Sequence, residues 1–369
     1  MGKIDFNKVL EIGRPPNIKQ LFPNSKALIV SGKVIDRAMM KKGKAMTIAA
    51  NGRSSIVIRA ALKAAQRAKA AIIIEIAKSE SDYCPVNMWN IAQYVDAYCN
   101  EMGITIPVAI HADHYGLKKA VEVDKAKVEI PTMFEAGMTS IAIDASHMTD
   151  EENLLANIEL SKYIPEWAGY ETEVGEIKGK DGLSTPDEAV FLIKGLNANG
   201  IFPDWIALNN GTTHGIEESD AGIQVELTKS IHDALAKYGI SGAQHGTSGN
   251  SAERLKRIAT ETATTKANVA TALQMISWGV KVNQYGNAQL DANGNFIKVA
   301  DEGVTEELWK DMVKYAEEKS LKKGDYKKLN LPFEKKLLSQ PKAIRERMEK
   351  GVEAFTYDLL VSCFNAGET

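Results

Sequence analysis

The stretch Ile106-Pro107-Val108-Ala109-Ile110-His111-Ala112-Asp113-His114 decides the fold. Its first half is short and apolar, as a strand buried on both faces of a parallel sheet must be. Its second half turns abruptly to imidazole and carboxylate. A strand apolar along its length and polar at its C-terminal end needs a reason, and in α/β proteins that end is where sites are built.

Reading outward from it, the same design recurs. Strands are predicted at Ala45–Ala50, Ala71–Ala77, Ile106–His111, Ser140–Asp144, Gly169–Val174, Trp205–Asn209, Ile240–His245 and Val280–Asn283. Amphipathic stretches lie between them, at Ser54–Ala68, Asn87–Glu101, Lys118–Glu135, Glu151–Tyr163, Pro186–Asn199, Ile223–Tyr238 and Ala252–Leu273. Several close on glycine, at Gly103, Gly137, Gly200 and Gly239, as helix ends do. Eight strand–helix units over roughly 250 residues predict an α/β fold, a (β/α)8 TIM barrel. A doubly wound open sheet would carry a glycine-rich dinucleotide loop after its first strand, and Asn51-Gly52-Arg53-Ser54 is no such fingerprint.

Two segments stand outside the repeat. The residues before Ala45, with Arg14-Pro15-Pro16, read as a cover for the barrel bottom. The chain thus divides into a barrel with its lead-in over 1–300 and a C-terminal helical extension over 301–369, packed on the barrel or on a partner subunit. In that extension the basic pairs Lys322-Lys323 and Lys327-Lys328 read as solvated faces.

Composition narrows the function. The 369 residues carry 45 Lys and Arg against 48 Asp and Glu, a net charge of −3, which argues against a nucleic-acid surface. Three scattered cysteines, Cys84, Cys99 and Cys363, form no CxxC pair, so a reducing compartment fits better than a disulfide framework. No apolar run approaches about 18 residues and the first residues lack a signal core, so the expectation is a cytoplasmic protein with no membrane contact.

The polar residues fall at strand ends. Asp144-Ala145-Ser146-His147 closes strand four, and Glu171-Thr172-Glu173 closes strand five. Asn209-Asn210-Gly211-Thr212-Thr213-His214 follows strand six, and Gln244-His245-Gly246-Thr247-Ser248-Gly249 follows strand seven. Of six histidines only His232 lies elsewhere, a clustering that chance seldom produces. Imidazoles and carboxylates converging from separate strands suit a zinc-like divalent ion, and three histidines with an open position make a catalytic site. His114, His214 and His245 are the best triad; His111 and His147 read as supporting or structural. Gly246-Thr247-Ser248-Gly249 before a helix is a phosphate cradle, since glycines let backbone N–H groups reach an anion at a helix N-terminus. The loop Gly175–Gly182 is glycine-rich and charged, able to carry a base, Glu176 or Asp181, to a substrate.

Taken together these motifs resemble the class II fructose-bisphosphate aldolases. His111-Ala112-Asp113-His114, Asp144, Glu171-Thr172-Glu173-Val174-Gly175, Thr213-His214-Gly215 and His245-Gly246-Thr247-Ser248-Gly249 agree with that family in order and spacing, from about Ala45 to Asn283. The resemblance implies a metal-dependent aldehyde-lyase of glycolysis and gluconeogenesis. Such an enzyme cleaves fructose 1,6-bisphosphate reversibly to dihydroxyacetone phosphate and glyceraldehyde 3-phosphate through a metal-stabilised enediolate. It implies His114, His214 and His245 as ligands of a catalytic Zn2+, with Asp144 and Glu173 at a second or alternative divalent position. Asp113 corresponds to the acid/base acting on the hydroxyl at the cleaved bond, and Asp181 falls nearest the family's loop glutamate. Gly215, Gly246, Ser248 and Asn283 fall where the ketose phosphate portion binds, and Asn51 matches an asparagine lining that pocket. The only partners implied are a small sugar phosphate and further copies of the chain, a dimer or higher.

Three departures bear on which sugar is used. The family's strand-eight Asn-x-Asp-Thr reads Asn283-Gln284-Tyr285-Gly286 here, Asp181 is one methylene shorter than glutamate, and Ala77 followed by Lys78-Ser79 replaces a serine after strand two. For a distal phosphate the candidates are Arg345 and Arg347, from this or a neighbouring subunit. Rival readings are an aldolase for tagatose bisphosphate or another phosphorylated ketose, a barrel metallohydrolase, and a non-catalytic binding protein. The hydrolase would show His-x-His after strand one, where this chain has Ala49-Ala50-Asn51. A lysine Schiff base is the other aldolase chemistry, and Lys281 near strand eight has no companion motif for it.

Overall fold

The computed structural model describes residues 5–175, 182–211, 222–284 and 286–369. Eight parallel strands close into a barrel in sequence order: β1 (Thr47–Asn51), β2 (Ile72–Ala77), β3 (Val108–Gly116), β4 (Ser140–Asp144), β5 (Gly169–Val174), β6 (Trp205–Leu208), β7 (Ser241–Gln244) and β8 (Thr264–Val269). Helices alternate with them, and β8 pairs back onto β1 with Thr47 opposite Lys266. Most strand residues are buried on both faces, which is why Ile72-Ile73-Ile74 and Ile141-Ala142-Ile143 read as unbroken apolar runs.

The predicted eighth strand is corrected. Val280–Asn283 lies outside the barrel, in an antiparallel excursion where Val280 bridges Lys298 and Val282 bridges Ala288. The true β8 falls within the predicted helix Ala252–Leu273, which the structure divides into helix Ala252–Glu261, strand Thr264–Val269 and helix Thr271–Ser277. The physical reason is the polar side chains of this strand. Lys266 and Asn268 are buried inside the barrel, so the segment lacks the apolar signature of its neighbours.

The bottom of the barrel is closed by helix Gly32–Lys42. Its first residue touches the start of β4 so closely that a Cβ on Gly32 would stand 2.5 Å from Ser140 Oγ. From the same helix Asp36 accepts a hydrogen bond from Thr265 Oγ1 at 2.6 Å. The C-terminal helix Lys342–Asp358 packs along Ser55–Ala68, with Arg59 pairing Glu349 at 3.0 Å and Arg67 pairing Glu353 at 2.8 Å. Among the described residues no helix is long and apolar enough to cross a membrane.

His232, the histidine away from the strand ends, is buried beneath β7, and any Cβ on Gly242 would collide with its ring. Its Nδ1 accepts from the Ala263 N–H at 3.1 Å, so the ring is neutral there. Burial holds its pKa down, to about 4. The folded value lies below the unfolded one of about 6.5. This histidine's contribution is therefore complete above pH ~6.5 and lost as pH falls towards 4. His232→Gln, which keeps an acceptor without a titrating proton, should reduce the stability lost between pH 7 and pH 4.5 by about 1–3 kcal/mol. Denaturant unfolding at the two pH values checks this; an unchanged difference would remove the assignment.

Candidate active site

The C-terminal strand ends ring a cavity of about 430 Å³, within the usual range for a small-molecule site. In a regular strand Asp113 and His114 would point to opposite faces. Here both line the cavity, because β3 bulges between Ala112 and Tyr115 and His114 sits in the left-handed region at φ 41°. That conformation is costly for a residue with a side chain, and its place at the mouth of the barrel is where such strain has a use.

His114 and His245 meet edge to face with ring centroids 4.3 Å apart. His114 Nδ1 lies 3.2 Å from Asp144 Oδ2 and 3.5 Å from Glu173 Oε2. Ligand atoms of Asp113, His114 and His245 lie within 4.8 Å of one another, and so do those of His114, Asp144 and Glu173.

The electrostatics describe a place short of positive charge. Burial opposes charge on His114, yet Asp113, Asp144 and Glu173 outweigh it and raise the imidazole well above its ordinary value. Burial, then the charge of Asp144, raises Glu173. The donor set therefore fits a divalent cation, which would supply the charge that a proton on His114 supplies in its absence. His245 adds a second observation. Its Nε2 is 2.7 Å from Glu171 Oε1, and a carboxylate only accepts, so Nε2 carries the proton. That leaves Nδ1 as a bare lone pair, buried and without a hydrogen-bond partner among the described residues. Fixing a tautomer in this way is how histidine ligands are held.

Beneath the site the barrel interior is ionic. Lys266 is fully buried with its ammonium 2.7 Å from Glu171 Oε2, 3.5 Å from Glu75 Oε2 and 3.2 Å from His111 Nε2. Burial would discharge the lysine, but Glu171 and Glu75 keep it protonated. His111 bonds Ser140 Oγ at 2.6 Å and does not line the cavity, whereas His147 does. Asp113 accepts from Asn268 Nδ2 at 3.0 Å. Burial would protonate Asp113, but the positive charge of His114 and Lys266 lowers its pKa below the ordinary value.

The sequence expectations divide accordingly. Asn51, Asp113, His114, Asp144, Glu173, His245, Gly246, Thr247 and Ser248 all face this one cavity. His214, Gly215, Glu176 and Asp181 lie outside the described residues. Asn283 is corrected: it belongs to the antiparallel excursion, bonding the Asn287 N–H at 3.0 Å, and does not line the cavity. Within this chain neither Arg345 nor Arg347 lines the cavity, and the Arg347 guanidinium donates to the carbonyls of Gly303 and Val304 at 2.6 and 3.0 Å. Nor are the basic pairs wholly solvated, because Lys323 and Lys327 form part of the cavity wall.

Comparison with known proteins agrees with this geometry. A family model described as fructose-bisphosphate aldolase class-II matches residues 33–320. The chain belongs to the class II fructose-bisphosphate aldolase family. It is therefore a class II aldolase by descent, in a family of generally metal-dependent lyases. A fructose-bisphosphate aldolase of Streptococcus pneumoniae is 32% identical over 223 residues, covering 59% of this chain and 70% of the relative. The 6-phospho-5-dehydro-2-deoxy-D-gluconate aldolase of Halalkalibacterium halodurans is 30% identical over 224 residues, covering 58% and 72%. The solved structure of the YdjI aldolase from Escherichia coli K12 superposes with a TM-score of 0.61 at 18% identity, covering 92% of this chain and 98% of that one.

With β8 in its observed place, the family's Asn-x-Asp-Thr falls on Asn268-Val269-Ala270-Thr271. The asparagine and threonine are present and line the cavity, and only the acid is replaced, by Ala270. Sequence reasoning missed Lys266, Asn268, Glu75, Arg53 and Glu80. The available signal was Thr264-Thr265 with Val269, a β-branched frame about 20 residues after β7 that suits a strand better than a helix.

Proposed function

We propose that this class II aldolase cleaves fructose 1,6-bisphosphate reversibly to dihydroxyacetone phosphate and glyceraldehyde 3-phosphate with Zn2+. His114, His245 and His214 would hold the catalytic ion, and Asp144 with Glu173 would hold it in an alternative position or bind a second one. When bound, the ion supplies Lewis-acid polarisation of the ketose carbonyl. The chain's own residues do the rest. Asp113, ionised and fixed by Asn268, accepts the proton of the hydroxyl beside the breaking bond. The turn Gly246–Ser248 with Asn268, Thr271 and Gly215 binds the phosphate of the ketose half, and Asn51 orients its carbon chain. Glu176 or Asp181 returns a proton to the three-carbon product.

The observation that carries this reading is Asp113 placed between two imidazoles on one cavity wall, with the Gly246–Ser248 turn lining the same cavity. Two relatives frame the substrate question. One is named for a ketose bisphosphate and the other for a phosphorylated keto-gluconate, so the end far from the shared phosphate is a phosphate in the first sugar and a carboxylate in the second. A coupled triose-phosphate assay on fructose 1,6-bisphosphate, tagatose 1,6-bisphosphate and the phosphorylated keto-gluconate decides between them. Turnover on fructose bisphosphate should exceed the others, and stripping the ion with a chelator should lower it by about 10³ or more, with recovery on adding Zn2+. Full activity after complete metal removal would refute the mechanism. A preference for another ketose would move the substrate and leave the chemistry.

A further inference from the structure

A buried ion pair lines the cavity without entering the proposed chemistry. Arg53, just after β1, donates through Nε to Glu80 Oε1 at 2.6 Å, and Glu80 stands in the short helix Lys78–Asp82 that follows β2. Both side chains are buried and both residues line the cavity. Each holds an amide. Asn51, the last residue of β1, donates from Nδ2 to Glu80 Oε2 at 2.7 Å. Gln274, in the helix Thr271–Ser277 after β8, accepts at Oε1 from Arg53 Nη1 at 3.2 Å and from Asn330 Nδ2 at 2.8 Å.

The charges of the pair fix which way round each amide stands. A carboxylate only accepts and a guanidinium only donates, so neither amide can be turned over. The atoms left over are opposite in kind. Asn51 Oδ1 is an acceptor and Gln274 Nε2 a donor, and each is buried without a hydrogen-bond partner among the described residues. Both residues line the cavity. Polar groups left unpaired in this way cost free energy that a ligand of matching pattern recovers. An ionised phosphate or carboxylate only accepts, so on a sugar phosphate the group that can donate to Asn51 is a hydroxyl.

We propose that Gln274 is a further substrate-binding residue and that Arg53 and Glu80 are positioning residues, setting one amide as acceptor and the other as donor so that they select a hydroxylated carbon chain. This rests on the aldolase reading above. In that reading the ion takes the ketose carbonyl, Asp113 the hydroxyl at the breaking bond, and the Gly246–Ser248 turn the phosphate. The hydroxyl beside the carbonyl of the aldehyde half is left without a partner, and it is the group assigned here. Asn51 thereby serves both halves of the sugar.

The test is condensation of dihydroxyacetone phosphate with glyceraldehyde 3-phosphate and with 3-oxopropyl phosphate, the same aldehyde without its hydroxyl, on the zinc-loaded full chain. Solvent-proton exchange into dihydroxyacetone phosphate is followed alongside. The parent should favour the hydroxylated aldehyde by about 10²-fold or more in kcat/KM. Gln274→Glu keeps an acceptor for Arg53 and Asn330 and removes only the donor. The preference should then fall by about tenfold or more, which a merely structural amide would not explain. Glu80→Gln should lower it as far, because Asn51 is then free to turn over. Adding Asn51→Asp to Glu80→Gln exchanges amide and carboxylate across the same hydrogen bond, keeps a negative charge near Arg53 and leaves an acceptor for the sugar. In that double variant the preference should return to within about threefold of the parent. Equal use of the two aldehydes by the parent overturns the proposal, as does an unchanged preference in Gln274→Glu or Glu80→Gln, or no return in the double variant. In each of these cases proton exchange by the parent leaves the aldolase reading standing. Exchange without condensation of either aldehyde would refute the proposed substrate, and absence of exchange the aldolase reading itself; the assignment would fall with either.

Discussion

Asp113→Asn should lower kcat for cleavage by about 10²–10⁴, or roughly 3–5 kcal/mol of barrel-mouth catalysis, with fold and bound metal unchanged. The side chain is buried and its Oδ1 is held by Asn268 at 3.0 Å, so the shape of the replacement is accommodated. What is lost is proton affinity. Burial alone would favour the neutral acid, but the charges of His114 and Lys266 lower the pKa of Asp113 and keep it a carboxylate ready to accept a hydroxyl proton. An amide cannot take that proton. The hydroxyl in question belongs to the bond being broken, so solvent-proton exchange into dihydroxyacetone phosphate should survive within a few-fold in the same variant. Measuring both rates on metal-quantified protein separates an acid/base role from general damage. A cleavage rate within tenfold of the parent would take Asp113 out of the chemistry.

Lys266→Met should be the most damaging single change to stability, at about 3–5 kcal/mol, or a fall in Tm of about 5 °C for a chain of this size. The ammonium is fully buried at the centre of the barrel, 2.7 Å from Glu171 and 3.5 Å from Glu75. Removing it strands the Glu171 carboxylate, whose remaining partners are His111 and His245. Adding Glu171→Gln should recover much of the lost stability, since the uncompensated charge goes with it. Metal affinity should instead fall in the double variant, because Glu171 fixes the tautomer that leaves His245 Nδ1 free of a proton. A loss of about 10–100-fold in affinity is expected from removing such an orienting partner. Thermal melting and metal titration of the single and double variants read the two effects separately. No recovery of stability in the double variant, or metal affinity unchanged there, would show that the ion pair does not act in this way.

The parts of the fold legible in advance are those whose strands are rich in apolar residues. β1, β2 and β4 are announced by their Ile and Ala residues, because both faces of a barrel strand are covered. β8 fails that test for a physical reason. Lys266 and Asn268 occupy its inward positions, and a buried lysine is tolerable only beside carboxylates supplied by β2 and β5, far away in sequence. The error then carried Asn283 into the site in place of Asn268. Asp113 and His114 were legible as a pair, yet that both face one cavity depends on a bulge in β3 that no spacing announces.

By itself the sequence determined the alternation of strand and helix, the gathering of imidazole and carboxylate at strand ends, and the family motifs, since these are local patterns of burial and residue type. The tertiary structure alone decided which nitrogen of His245 is free, what neutralises Lys266, and that Lys323 and Lys327 turn inward to the cavity. Charges and lone pairs take their meaning from neighbours, and here those neighbours arrive from strands and helices scores of residues apart.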